Sequence, residues 1–260
     1  MIDVLAVRTP TVPPATHTNC YRVGRTIIDP ASPYPEEQER LAAWAGPVER
    51  ILLTHHHVDH IGGVADLAAR TGAPVWAHRD AQLPFHVERR LQDDDLVDTG
   101  AGVLRCLHTP GHADGHLCFA LGTASAGVSL IAGDMVAGTG TIVFVPPEGD
   151  LAVYLASLER LVPLAGTLYP AHGPPIADGP ALLRAYIAHR RMRSAQILDV
   201  LADGERRTPR EIAEAVYAGV PGVDVALARW QVRTHLAWLA ARGEVREGEH
   251  DVWEADVDEV

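Results

Sequence analysis

The sequence predicts an α/β fold with a small helical appendage, on three observations. Short apolar runs of strand length, such as Ile51-Leu52-Leu53, Val103 to Leu107 and Val128 to Ala132, recur between segments of helical periodicity. One of these runs leads straight into Thr54-His55-His56-His57-Val58-Asp59-His60-Ile61-Gly62-Gly63, where four imidazoles and a carboxylate fall within six residues. After Pro180 the strands give way to long helical stretches. The 260 residues suit one substantial domain, expected at 1–180, and a small second unit at 181–260.

Taken in order, Val4 to Val7, Asn19 to Val23 and Thr26 to Asp29 read as a strand meander, with Gly24 at a turn. Pro35 to Ala45 reads as a helix, because Pro and two Glu in its first turn suit the positive end of its dipole. Ile51 to Leu53 is a buried strand. The helix Gly62 to Arg70 follows the His-rich loop and is ended by Gly72, and Pro74 to Ala77 is the next strand. Between Arg79 and Asp98 the pattern loosens. Asp93-Asp94-Asp95 reads as a solvated loop, and His78 and His86 as surface or supporting residues. Val103 to Leu107 is a strand, followed by the strand pair Cys118 to Leu121 and Val128 to Ala132, joined by small residues. Val136 to Thr141 is placed to border a cleft. Leu151, Leu155, Leu158 and Leu161 recur at helical spacing, Pro163 closes that helix, and Thr167 to Tyr169 is a further strand.

In the second unit, Leu182 to Leu201 reads as a long Arg-rich helix. Thr208-Pro209-Arg210-Glu211 opens another with a cap and a Pro at its first position, and Val225 to Arg242 is a third. Glu244 to Arg246 and Asp251 to Glu254 read as a hairpin. Three helices and a hairpin make a winged-helix pattern, for which a packing or dimerisation cap, and so a homodimer, is weighed beside nucleic-acid reading.

Composition narrows the function classes. A net charge of −12, from 22 basic and 34 acidic residues, disfavours non-specific binding of polyanions. Between residues 184 and 233 nine Arg face six acids, a bias too slight for a nucleic-acid signature. Aromatic residues make up 5%, which leaves few platforms for stacking bases. Cys20, Cys106 and Cys118 are odd in number and sit in apolar segments, so buried thiols in a reducing compartment are expected. No basic start leads into an apolar core, and no run approaches the roughly 20 apolar residues of a membrane helix. The expected setting is therefore cytoplasmic and away from membranes.

Imidazole and carboxylate are ligands for divalent zinc, iron or manganese. In an extended segment alternate side chains share a face, so His55, His57 and Asp59 are expected to converge, with His60 reaching a second ion as the chain turns into a helix. His56 points away, as a supporting residue. HxHxDH after a strand resembles the metallo-beta-lactamase fold superfamily. Thr109-Pro110-Gly111-His112, Ile131-Ala132-Gly133-Asp134 and Tyr169-Pro170-Ala171-His172-Gly173 repeat that family's later motifs in order, each at a strand end. The segment His189 to Leu198, followed by the winged-helix pattern, is similar to the beta-lactamase-like protein 2 group.

The resemblance implies an αββα sandwich with a small winged-helix domain behind it. It implies two zinc ions, one held by His55, His57 and His112, the other by Asp59, His60 and His172, with Asp134 bridging. The chemistry implied is hydrolysis by a metal-bridging hydroxide, which Asp59 orients. One zinc lowers the pKa of its water to about 7. The group contains thioesterases acting on carrier-bound acids and a single-strand-preferring endoribonuclease. The expected substrate is an ester, thioester or lactone of a small or carrier-bound metabolite, with single-stranded RNA as the alternative. A nucleic-acid-binding regulator with a vestigial metal site is the third reading. Asn19 reads as a residue holding substrate or a ligand, or as a strand start. His116 reads as a donor behind His112 or a substrate contact, or as a structural histidine. Arg184, Arg190, Arg191 and Arg193 are the cations that would meet a substrate phosphate if they face the cleft.

Overall fold

The computed structural model describes residues 1–123 and 127–256. Strands β1 (Ile2–Arg8), β2 (His17–Val23) and β3 (Thr26–Ile28) form the expected antiparallel meander. Helix α1 (Pro35–Ala45) carries the chain to β4 (Arg50–Leu52), parallel to β3. Helices α2 (Val58–Ile61) and α3 (Val64–Thr71) carry it to β5 (Val75–His78), again parallel. With β6 (Arg89–Leu91) these make a six-stranded sheet in sequential order. The second sheet holds β7 (Leu96–Asp98), β8 (Val103–His108), β9 (Leu117–Thr123) and β10 (Gly127–Gly133), all antiparallel. Helix α4 (Leu151–Leu161) then returns the chain to β11 (Thr167–Pro170), parallel to β10. Of the small-residue link expected between Leu121 and Val128, residues 124–126 lie outside the described residues.

Strands β6 and β7 correct the expectation of a loop between Arg79 and Asp98. Each is three residues long and sits at a sheet edge, so neither carries a readable alternation; pairing with Trp76–His78 and with Val103–Arg105 imposes them. The acidic run between them is not simply solvated. Asp93 accepts the His108 N–H at 2.8 Å and takes the Arg160 guanidinium on both carboxylate oxygens at 2.9 Å.

The period-two pattern of the strands fills two faces. Tyr21, Val23, Ile28 and Leu52 of the first sheet meet Leu104, Leu117, Phe119 and Ile131 of the second. On the outer side of the first sheet, Ile27, Ile51 and Leu53 pack against Leu41 of α1 and Val64 and Leu67 of α3. On the outer side of the second, Leu107, Leu130 and Leu168 pack against Tyr154, Leu155 and Leu158 of α4. The result is the αββα layering. All three cysteines are buried and unpaired.

The tail holds α5 (Gly179–Leu201), α6 (Pro209–Val216), α7 (Val225–Ala240) and a hairpin of β12 (Val245–Glu247) and β13 (Trp253–Ala255). Thr208 and Glu211 close a capping box at α6. Ile197 and Leu201 join Ile212, Val232, Leu236 and Trp253 in one small core. The first half of α5 packs elsewhere: Leu183 and Ile187 belong to the core under α4. One helix thus serves both cores.

Truncating Phe119, fully buried between the sheets, is expected to cost about 3–5 kcal/mol. Chemical denaturation of Phe119→Ala checks this.

Candidate metal centre

The ends of β4, β8, β10 and β11 open at the same edge of the sandwich and deliver the His and Asp motifs there. After β4 the chain runs extended through His55 and His57, then turns. His57 is the N-cap of α2, so Asp59 and His60 lie in a helical turn and not on the extended face expected for Asp59. The turn depends on the glycines after it. A Cβ at Gly62 would lie 2.7 Å from the Ala31 carbonyl oxygen, and one at Gly63 would lie 2.7 Å from that of Pro30. Only glycine allows the His-rich loop to press against residues 30–33.

Two groups of three ligand atoms result, His55, His57 and His112 in one and Asp59, His60 and His172 in the other. His57 Nδ1 lies 3.0 Å from His55 Nε2 and 3.0 Å from His112 Nε2. Asp134 spans the groups, with Oδ2 3.4 Å from His112 Nε2 and Oδ1 3.5 Å from both His60 Nε2 and His172 Nε2. Asp59 Oδ2 lies 3.5 Å from His172 Nε2. Ligands at about 2.0–2.1 Å in a tetrahedral shell stand roughly 3.3 Å apart, close to every one of these separations.

The hydrogen bonds behind the cluster fix which nitrogens face inward. Asp29, buried at the end of β3, accepts the Thr54 N–H at 2.8 Å and the Thr54 hydroxyl at 2.6 Å. The hydroxyl has spent its proton, so at 3.0 Å it accepts from His55 Nδ1–H. His60 Nδ1–H donates to Asp29 at 2.9 Å, His172 Nδ1–H to the His17 carbonyl at 3.0 Å and His57 Nε2–H to Glu148 at 3.2 Å. Lone pairs of His55 and His57 therefore face each other at 3.0 Å, and the buried His60 Nε2 and Asp134 Oδ1 have no hydrogen-bond partner. Lone pairs so placed repel unless a cation stands between them, so the residues fit divalent metal. The outward nitrogens of His55, His57, His60 and His172 tie their rings to the frame, as ligating imidazoles require, while the buried His112 Nδ1 has no partner.

Protonation follows the same division. Burial, with neighbouring imidazoles, holds His55 well below its ordinary pKa and keeps it neutral. Burial also lowers His57 and His112, against the pull of the Asp134 carboxylate. At His60 and His172 burial would do the same, but Asp134, joined by Asp29 at His60 and by the His17 carbonyl at His172, outweighs it and raises both. Burial would raise Asp134; His172 and His60 outweigh it and hold the carboxyl well below the usual carboxylate range.

Asn19, His116 and Arg190, considered as substrate contacts, are buried behind the cleft. Asn19 is buried, and its amide donates to the carbonyls of Pro170 and Gly173 at 2.9 and 2.8 Å, so it braces the loop carrying His172. His116 is fully buried. It accepts the Asp134 N–H on Nε2 at 3.1 Å and donates from Nδ1 to Thr109 at 2.9 Å, which fixes the backbone at Asp134. Burial lowers its pKa to about 3, in keeping with an acceptor nitrogen. Arg190 is buried too, donating to the Ile142 carbonyl at 2.6 Å beneath the cleft wall. Helical periodicity cannot tell which neighbour an Arg on a packed helix will meet. Arg191 pairs with Glu159, and Arg193 lies over the Tyr217 ring. Sequence reasoning passed over Asp29 and Glu148, whose partners lie 25 to 91 residues away along the chain.

A cavity of about 490 Å³ opens over the cluster. Pro10, Val12 and Ala15 form one wall and Val143, Val145 and Pro146 the other, with Asp59, Asp134 and His172 among the lining groups. Among the described residues no Arg lines it.

The αββα sandwich with this His and Asp cluster at the strand ends defines a metal-dependent hydrolase. Residues 13–172 match the Metallo-beta-lactamase superfamily, and the chain belongs to that superfamily. It is 35% identical over 237 residues to the lactamase-like protein nscB of Neosartorya fischeri, covering 81% of this chain and 70% of the relative. It is 32% identical over 210 residues to an atrochrysone carboxyl ACP thioesterase of Claviceps purpurea, covering 75% and 63%. A metallo-beta-lactamase family protein from Thermus thermophilus shares the fold, with a TM-score of 0.81 at 24% identity over 98% of each chain. Among the described residues no helix is long and apolar enough to cross a membrane.

Removing the Asp29 carboxylate releases both Thr54 and His60. Asp29→Ala is expected to weaken zinc binding about 10–100-fold, as read by competition with a chromogenic chelator. Because ligating imidazoles must give up their protons, zinc uptake should release protons and weaken as pH is lowered. Calorimetric titration in buffers of different ionisation enthalpy reads that release.

Proposed function

We propose that this chain is a dinuclear zinc hydrolase of thioesters whose acyl group is presented on a carrier, with related esters and lactones within its reach. His55, His57 and His112 would hold one ion, Asp59, His60 and His172 the other, with Asp134 shared. Three imidazoles suit zinc, and iron or manganese can use the same donors. Elemental analysis of protein purified without chelator names the metal.

The observation that carries this reading is the lining of the cleft. Val12, Val143, Val145 and Pro146 offer apolar surface, and the one charged side chain added to the metal-facing groups is the acidic Glu148. An acyl chain gains by burial against such walls, at roughly 25 cal/mol per Å². A phosphodiester would bring negative charge to a cleft without Arg, where no guanidinium can offset its desolvation. The carrier-bound form of the substrate is supported by the thioesterase relative from Claviceps purpurea, named for an acid held on an acyl carrier protein.

Metal held by these residues would lower the pKa of bound water and polarise the substrate carbonyl. In the step itself the water oxygen bonds to the acyl carbon and the carbon–sulfur bond breaks. Asp59 borders the cavity; it takes the proton that the water loses and returns it to the leaving thiolate. Imidazoles fixed by Thr54, Asp29 and the His17 carbonyl need no rearrangement as charge develops.

Incubating zinc-loaded protein with acyl thioesters of N-acetylcysteamine, beside labelled single-stranded RNA, tests the reading. Thioester hydrolysis is expected, with Asp59→Asn, which removes the proton acceptor and a carboxylate of the second metal group together, slower by on the order of 10²–10⁴-fold. RNA cleavage that depends on Asp59, without thioester turnover, would replace this assignment with the nuclease.

A further inference from the structure

From Val136 to Glu148 the backbone has no regular hydrogen-bonded structure, yet this segment supplies one whole wall of the cleft. Buried backbone groups outside a helix or sheet must find partners elsewhere. The N–H groups of Gly138 and Thr139 use the His172 carbonyl, and the partners of Ala137, Ile142 and Phe144 come from the C-terminal helices. Gln231 of α7 is buried and uses both ends of its amide on one residue: Oε1 accepts the Phe144 N–H at 3.3 Å, and Nε2 donates to the Phe144 carbonyl at 3.1 Å. A side chain thus replaces a neighbouring strand. On α5, Arg190 donates to the Ile142 carbonyl at 2.6 Å and lays its guanidinium 4.9 Å from the centre of the Phe144 ring. The Tyr186 hydroxyl accepts the Ala137 N–H at 3.0 Å.

The contacts sort this stretch into two faces. Ile142 and Phe144 are buried against the tail, while Val143 and Val145 line the cavity, Val145 with 39% of its surface exposed. At its far end the wall meets the metal site. The Glu148 carboxylate accepts from His57 Nε2 at 3.2 Å and lies 3.1 Å from His56 Nε2.

We infer that Gln231, with Arg190 beside it, positions the Val143–Val145 wall, so that the C-terminal helices are part of the substrate cleft and set which acyl groups fit. Gln231 touches neither metal ligand nor cavity; it is a positioning residue. That the fitted group is acyl rests on the thioesterase reading, whereas the anchoring of the wall does not.

The test uses the zinc-loaded full chain and three variants. Gln231→Met keeps the bulk and removes both hydrogen bonds. Gln231→Glu keeps an acceptor for the Phe144 N–H. Val232→Ala loosens the tail's own core, where Val232 is buried, and serves as the control for general destabilisation. In Gln231→Met, amide hydrogen exchange across residues 139–147 is expected to rise about tenfold, the effect of losing one to two hydrogen bonds. Zinc content should stay unchanged, and selectivity between long and short acyl thioesters should shift, mainly through KM. Gln231→Glu should recover part of both effects. Unchanged exchange in Gln231→Met, or an equal rise in Val232→Ala, overturns the inference. If exchange rises as expected while the unaltered protein turns over no thioester, the anchoring stands and the thioesterase reading falls.

Discussion

Five imidazoles and two carboxylates point lone pairs at one another across separations of 3.0–3.5 Å at the edge of the sandwich. A folded chain keeps such a cluster only if positive charge lies within it, supplied by protons or by metal. This constraint explains why so much of the surrounding structure is polar yet buried. Thr54, Asp29 and His116, all within 2% of full burial, each use their hydrogen-bonding groups to fix a ligand or its backbone. Buried polar groups are costly unless paired. Here each pairing also selects a tautomer, so folding energy is converted into the orientation of the nitrogens.

The sandwich makes that convergence possible. Parallel entry of β4 beside β3 and of β11 beside β10 sends both strand ends toward one edge. Strand β8 ends at the same edge because β9 lies between it and β10, antiparallel to both, so β8 and β10 run in the same direction. Residues scattered between positions 55 and 172 thus meet without a long loop having to be ordered, which keeps the conformational entropy cost of assembling the site low.

The convergence of the seven His and Asp residues is legible in the sequence because each sits in a short motif behind an apolar run, and strand ends are easy to find. Their supports were not. Asp29 is one acid at the end of a three-residue strand, and nothing within a few residues of it announces that Thr54 and His60 will arrive there. Glu148 follows two prolines in an irregular stretch and looks like any surface acid. Arg190 misled for the opposite reason. Its run of basic neighbours suggested a charged face, but α5 turns it inward over Phe144 and Tyr154 while Arg191 stays outside with Glu159. Local pattern reveals which residues could do chemistry; tertiary contact decides which ones are aimed at it.

The two walls of the cleft are held in different ways, and this separates reactivity from selectivity. On the ligand side, rings are pinned from behind by Asp29, Thr54, Glu148 and the His17 carbonyl, so a change there disturbs the ligands directly. On the apolar side, Val143 and Val145 have no strand behind them and depend on Gln231 and Arg190, two side chains from helices far along the chain. Substitution in the tail can therefore move the apolar wall by fractions of an ångström while Asp29 still holds His60 and Thr54. The sides are linked at both ends of the wall: Glu148 accepts from His57, and the Gly138 and Thr139 N–H groups donate to the His172 carbonyl at 2.7 and 3.2 Å. A tail replaced wholesale would change the shape of the cavity first, and would reach the ligands through that carboxylate and the His172 carbonyl.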